Sequence, residues 1–419
     1  MLTARNNELI TRTGPNTPMG EYLRRFWLPA LTSRELPQPD CPPLRVRLLG
    51  EALIAFRTTS GDVGLVQENC PHRGASLFFG RNEEDGLRCV YHGWKFDTAG
   101  ACVDMPSEPA ESNFKTKVHA TAYPTQERGG IVWVYMGPPE LVPNFPEYEW
   151  TLVPDGHVLA SRRIQHCNYL QAIEGGIDSA HVPFLHGMLD PARRQAPSQK
   201  YLYGDLAPRL MVEPTDYGFA YGAQRDAEAA SYYWRFTPFM LPFFTVIPGF
   251  APPDEPQEPE ALTYSGHGWV PLDDESCWMV TYTWNASRPL REGEGHPAHF
   301  VELRPGTLTP KAAAANDYFL NRDVQRTETY TGIENGSLQD AAIQESMGAV
   351  FDRAQEHLGT TDRAIIALRN LYLDAVRELM EGGEPALPQR TGAFRVRSVS
   401  AVLDRSVPFE EGRSAMRQT

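Results

Sequence analysis

A chain of 419 residues is long enough for two or three domains and a sizeable core. Its 39 Lys and Arg against 53 Asp and Glu give a net charge of −14, which argues against nucleic acid or an anionic membrane surface as a partner. With 41% hydrophobic and 22% charged residues, the composition is that of a globular protein, not of a disordered or fibrous one.

The opening stretch MLTARNNELITRTGP is polar and lacks the apolar run of a secretory signal. Short apolar or alternating runs at 45–50 (RVRLLG), 52–58 (ALIAFRT) and 63–67 (VGLVQ), with a turn at Gly61-Asp62, predict a small antiparallel sheet. GGIVWVYMG (129–137) is a further strand, and the proline-rich 138–146 marks a boundary near residue 150. The expected domains are thus 1–150 and 151–419. The second opens with β-like segments, then a helix candidate over 168–186 and aromatic strands over 231–248 and 276–286. Its most apolar stretch, 239–250, is shorter than the ~20 residues of a membrane span and is broken by Pro242 and Pro248, so a cytoplasmic protein is expected. The acidic, proline-rich 251–261 suits an exposed loop. From Thr309 onward the pattern is helical, with one helix before Gly332, one over 337–356 and one over 362–381. In the last, Ile365, Leu368, Leu371, Ala375 and Leu379 form a core stripe.

Six cysteines (Cys41, Cys70, Cys89, Cys102, Cys167 and Cys277) are too dispersed for a disulfide framework, so a cluster of them reads as metal-binding or catalytic. Cys70-Pro71-His72 and Cys89-Val90-Tyr91-His92 lie sixteen residues apart, with Gly74, Gly80, Gly86 and Gly93 allowing tight loops. A Cys2His2 zinc site is the plain alternative, but such sites usually pair Cys with Cys and His with His. One Cys and one His in each half suit a [2Fe-2S] cluster with two thiolates on one iron and two imidazoles on the other.

CPHRGASL followed by CVYHGWKFD closely resembles the cluster motif of the Rieske non-haem iron oxygenases. The resemblance implies Cys70, Cys89, His72 and His92 as cluster ligands, with Trp94 packed beside the cluster or simply in the core. It also implies an α+β fold: an all-β Rieske domain, then a catalytic domain with an antiparallel sheet flanked by helices.

NYLQAIEGGIDSAHVPFLHG supplies a second group of candidate ligands. On an ideal helix Glu174, Asp178 and His181 fall within about 60° of one another, whereas His186 lies about 140° from His181. Pro183 predicts a break, such as a π-bulge, between the two histidines. An isolated histidine pair is as readily a satisfied core pair. The segment resembles the mononuclear iron motif of the same family, which implies His181 and His186 as ligands of a facial triad on Fe(II). It implies Asp340, in GSLQDAAIQESMG, as the third ligand, with Glu345 next in line. Ser337 to Asp340 also reads as a helix capping box. Asp178 and Asn168 are the catalytic candidates of the segment, and Asp178 is implied to link the iron site to His92 of a neighbouring subunit.

The resemblance spans nearly the whole chain and points to the homomeric, phthalate-dioxygenase-like branch. It implies a homotrimer or a hexamer of stacked trimers, a separate flavin and iron–sulfur reductase, and O2 with an aromatic, carboxylate-bearing substrate. Ring hydroxylation is the main expectation, and O- or N-demethylation on the same metal centres the alternative. Arg209 in LAPRL, assisted by Ser179, is implied as a carboxylate contact; pairing with Asp205 or Glu213 on the surface is its other reading. No Arg or Lys occurs from 237 to 285, which leaves a dicarboxylate short of a second cation unless Arg235 turns inward. Trp234, Phe236 and Phe244 suggest an aromatic pocket.

Overall fold

β-Branched and alternating residues set the N-terminal third into strands. The computed structural model describes residues 2–197, 199–228, 230–249 and 262–416, so the loop expected at 251–261 lies outside the described residues. Helices α1 (Ala4–Thr11) and α2 (Pro18–Leu23) lead in, each capped by a threonine hydroxyl, that of Thr3 or Thr17. After β1 (Trp27–Thr32), β2 (Leu44–Leu48), β3 (Glu51–Arg57) and β4 (Val63–Gln67) pair as the expected antiparallel meander. A second antiparallel sheet follows in β5 (Arg81–Glu83), β6 (Gly86–Arg88), β7 (Lys95–Phe96) and β8 (Cys102–Asp104). The short β9 (Ala122–Tyr123) returns to β4, and β10 (Thr125–Arg128) and β11 (Ile131–Tyr135) join β1 in the order β1-β11-β10.

The remainder is built on one eight-stranded antiparallel sheet. It opens with β12 (Val158–Gln165), followed by the helical segments α3 (Tyr169–Gly176), α4 (Val182–Leu185), α5 (Pro191–Arg194) and α6 (Lys200–Gly204). Strands β13 (Arg209–Thr215), β14 (Gly218–Asp226), β15 (Ser231–Met240), β16 (Phe244–Ile247), β17 (Tyr264–Pro271) and β18 (Cys277–Trp284) complete the order β12-β18-β17-β16-β15-β14-β13. Helices α7 (Arg322–Thr327), α8 (Gly336–Ser346) and α9 (Arg363–Met380) follow, and a last strand, β19 (Val399–Asp404), pairs with β15. The fold is α+β, with small sheets first and a large antiparallel sheet flanked by helices second. Among the described residues no helix is long and apolar enough to cross a membrane.

Two helix expectations change. The segment before Gly332 holds only the six-residue α7 and an irregular turn over Ala314–Phe319 with left-handed residues inside it. The helix expected over 337–356 stops at Ser346, where Gly348 at φ +90° turns the chain away. The third matches α9: Ile365 and Leu368 are buried, and Leu371, Ala375 and Leu379 pack partly buried on the same core.

Candidate metal centres and substrate cavity

The two cysteine–histidine loops fold alike. Cys70 N–H donates to Ala75 O at 2.8 Å and Gly74 N–H to Cys70 O at 2.9 Å; Cys89 N–H donates to Trp94 O at 2.8 Å and Gly93 N–H to Cys89 O at 2.9 Å. Gly74 and Gly93, at φ +75° and +78°, take the left-handed conformation that closes each loop. The loops place buried Cys70 and Cys89 beside His72 and His92, whose rings lie 4.4 Å apart. Trp94 is buried and stacks on His72 at 4.2 Å. The four side chains do not converge on one point: among the described residues only His181, His186 and Asp340 bring three donor atoms within 4.8 Å of one another. A single tetrahedral zinc would need its donors about 3.3–3.8 Å apart, so the wider spacing suits a two-iron cluster. His72 Nδ1 is buried without a hydrogen-bond partner among the described residues, as a ligand nitrogen should be. Burial foremost pushes the Cys70 thiol up to about 11, so a metal must displace its proton.

The second centre forms where α3 gives way to α4. The helix ends at Gly176 with Ile177 as its cap, and Asp178 Oδ1 then accepts the Ala180 N–H at 2.7 Å. The break therefore precedes His181 instead of separating it from His186. Between the histidines lies the ordinary helical turn α4, with Pro183 in its first turn, where a missing N–H costs nothing. His181 and His186 bracket that turn with their Nε2 atoms 3.2 Å apart, and Asp340 Oδ1 lies 3.5 and 3.3 Å from them. Metal bonds near 2.1 Å place adjacent ligand atoms about 3.0–3.4 Å apart, so the three could hold one ion from one side. Asp340 is not a capping residue, because α8 is capped by Asn335. Glu345 is turned elsewhere, accepting from His166 N–H and the Tyr318 hydroxyl.

Each ring has an outer partner. His186 Nδ1 meets Gln339 Oε1 at 2.7 Å, and Gln339 Nε2 is fixed in turn by Ile333 O at 2.7 Å. His181 Nδ1 lies 3.5 Å from Asp178 Oδ2. Such contacts orient ligating imidazoles and set their tautomers. Burial pushes the Asp178 carboxyl up, but His181 and the Ala180 N–H outweigh it and hold it below its usual range. Gln339 escaped the sequence reading, its only signal being its place next to Asp340.

Two family models cover this chain: a Rieske [2Fe-2S] domain over 26–125 and a LigXa C-terminal domain like region over 134–417. It is 37% identical to the 3-chlorobenzoate-3,4-dioxygenase oxygenase subunit of Comamonas testosteroni, over 98% of this chain and 97% of that one. With the phthalate 4,5-dioxygenase oxygenase subunit of Pseudomonas putida the identity is 39%, over 94% and 92%. The chain belongs to the Rieske aromatic oxygenase α-subunits. In fold it is similar to the crystal structure of dicamba monooxygenase bound to dicamba, with a TM-score of 0.59 at 18% identity over 86% of this chain and 99% of that one. This oxygenase is an oxidoreductase whose cofactors are a Rieske [2Fe-2S] cluster and a mononuclear iron, and both donor sets described above fit them.

The oxygenase has a cavity of about 440 Å³ between the large sheet and helices α3 and α8, and the triad faces into it. Gly175 and Gly176 allow this approach: a Cβ on Gly176 would meet the Trp269 ring at 1.9 Å, and one on Gly175 would meet Gln344 at 2.2 Å. Ser179 lines the cavity, its hydroxyl buried and without a hydrogen-bond partner among the described residues.

Four expectations are corrected here. Arg209 lies on the edge strand β13 with its side chain 49% exposed, donating to Gln224 and Asp226 at 2.8 Å each, outside the cavity and with neither of its expected surface partners. Asn168 is fully buried, caps α3 and donates to the Thr11 and Asp274 carbonyls, a structural position. Glu174 binds Arg353 and Arg369 and not the triad. On β15, Arg235 and Thr237 face the cavity while Trp234 and Phe236 pack on Phe409 across the sheet, and Phe244 joins the Tyr148–Trp150 stack.

Two histidines near the cavity belong to the fold. His299 engages Ser161 Oγ at 2.6 Å and Thr283 Oγ1 at 2.9 Å, and burial foremost brings it down to about 3. Burial likewise depresses His267 well below its ordinary value. Both stay neutral in the folded chain while the unfolded chain takes up protons below about pH 6.5, so stability falls as pH drops from 6.5 toward 4. For His299 the loss approaches about 1.4 kcal/mol per pH unit below the unfolded value. His299→Gln is expected to shrink the difference in unfolding free energy between pH 7 and pH 5 by about 2 kcal/mol, measured by denaturant titration. An unchanged difference would mean that His299 titrates normally.

Proposed function

We propose that the protein is the terminal oxygenase of a multicomponent system that oxidises an aromatic carboxylate, with ring hydroxylation as the reaction. Cys70, Cys89, His72 and His92 hold the cluster, and His181, His186 and Asp340 hold the iron. The observation that carries this reading is a triad with donors 3.2–3.5 Å apart, facing a cavity large enough for a single-ring substrate. When bound, the cluster supplies single electrons and the iron supplies open positions for O2. The protein's part is to fix the imidazoles through Gln339 and Asp178 and to seat the substrate beside the triad.

A flavin and iron–sulfur reductase would supply the electrons, and Asp178 would connect His181 to His92 of an adjacent copy in a homotrimer or a hexamer of stacked trimers. The exposed tip of the cluster loops, with Val90 57% and Tyr91 55% accessible, offers an apolar face for that contact. Asp178→Asn is expected to retain both metals while slowing cluster oxidation about 10- to 100-fold in single-turnover absorbance traces. Unchanged traces would remove Asp178 from the path.

The function is tested by reductase-coupled oxygen uptake over a panel of benzoates and their methoxy derivatives, on protein holding about three irons and two sulfides per chain. Hydroxylated acid formed in step with O2 supports the reading. Formaldehyde released from the methoxy compounds assigns demethylation instead, and zinc without sulfide overturns both.

A further inference from the structure

We propose that Arg163 is the carboxylate receptor of the cavity, an assignment that rests on the aromatic-acid oxygenase reading above. Arg163 lies in β12, is 4% exposed and lines the cavity that holds the triad. Of its five N–H groups, those of Nη2 donate to Ser337 O at 3.1 Å and Ser337 Oγ at 2.8 Å. Nε and Nη1, with three N–H between them, are buried and have no hydrogen-bond partner among the described residues. No carboxylate there forms an ion pair with this guanidinium. Its neighbour Arg162, pointing to the other face of the strand, spends its guanidinium on the Glu35 carboxylate and Ala30 O.

A guanidinium kept away from water without a directly paired carboxylate is unfavourable, and burial lowers its pKa although Glu345 and Asp340 act in the other direction. An anion entering the cavity relieves that cost: a carboxylate oxygen can accept a charge-assisted hydrogen bond from Nη1 or from Nε, the donors that Ser337 leaves unused. The position fits the chemistry. Ser337, which holds Arg163, and Asp340 stand three residues apart on α8, so an aromatic ring in this cavity has both the guanidinium and the triad among its walls. The register Arg163–Met279–Trp269 across β12, β18 and β17 sets a thioether and an indole beside the guanidinium as walls for that ring. Arg209, committed to Gln224 and Asp226 outside the cavity, does not compete for the role.

The test is calorimetric titration of the purified holoenzyme with benzoate and with methyl benzoate, alongside benzoate-dependent oxygen uptake. Arg163→Met is expected to raise the benzoate Kd at least about 30-fold and to leave the ester within about threefold. Its ligand-free Tm should match or exceed that of the wild type, because an unpaired buried charge has been removed. Arg163→Lys keeps the charge but not the Nε and Nη1 donors or the hold of Nη2 on Ser337, and should raise the benzoate Kd about tenfold, which covers the case of a Met variant that does not fold. Equal losses for acid and ester, or a lowered ligand-free Tm with benzoate affinity intact, would overturn the assignment. Wild-type protein that neither binds benzoate nor consumes oxygen with any acid of the panel removes the function itself. Benzoate-dependent uptake with unchanged affinity in both variants removes only Arg163.

Discussion

His181→Ala is expected to yield protein with an intact cluster spectrum but about two irons per chain in place of three, and turnover reduced roughly a thousandfold or more. Three donors in a triangle of 3.2–3.5 Å hold an ion from one side, and loss of His181 Nε2 leaves only His186 and Asp340 to hold it. Within one chain the cluster loops do not rest on His181, because they close through their own backbone bonds on separate sheets. The variant separates an oxygenase from a Rieske electron carrier, for which the second centre is dispensable. Iron and sulfide counts with EPR of the reduced protein, set beside substrate-dependent oxygen uptake, decide between them. Full turnover in the variant would leave the triad without a catalytic role.

What was legible in the sequence was local. The alternation in 45–67 predicted three strands in order, and the paired cysteine–histidine motifs predicted both loops, because a left-handed glycine four residues after each cysteine acts within one turn. Facing relations were less legible. The helical phase that put Glu174 beside Asp178 and His181 assumed a continuous helix, and the chain breaks at Ile177, which frees His181 to turn toward Asp340 with Asp178 against its other nitrogen and leaves Glu174 behind. Strand parity decided three further cases: Arg209 points out from an edge strand, Arg163 and Arg162 point to opposite faces, and Arg235 faces the cavity while Trp234 does not. A slip of one residue in register reverses every such assignment, and register is fixed only when distant strands pair. Gln339 illustrates the same limit, since its contact with His186 joins residues 153 positions apart.

Glu174→Ala is expected to destabilise the protein by about 3–5 kcal/mol while leaving its iron content unchanged after folding. This carboxylate accepts from Arg353 Nε and Nη2 at 2.8–3.1 Å and from Arg369 Nε at 2.6 Å, and Glu356 completes the group on Arg369. The four side chains are 0%, 5%, 8% and 11% exposed for Arg353, Arg369, Glu356 and Glu174, so removing Glu174 strands the Arg353 guanidinium, which has no other carboxylate among the described residues. Arg353 also donates to Asn7, and Arg369 sits on α9, so the group ties the N-terminal helix, α3 and α9 together. Because α3 leads directly into Asp178 and His181, looseness at Glu174 reaches the triad through the backbone. The double variant Glu174→Ala with Arg353→Met should recover much of the loss, since the stranded charge leaves with its partner, and denaturant titration of the single and double variants measures it. A single variant as stable as wild type would mean that water satisfies the group. A loss of iron without a loss of stability would return Glu174 to the metal site, from which its contacts with two arginines now separate it.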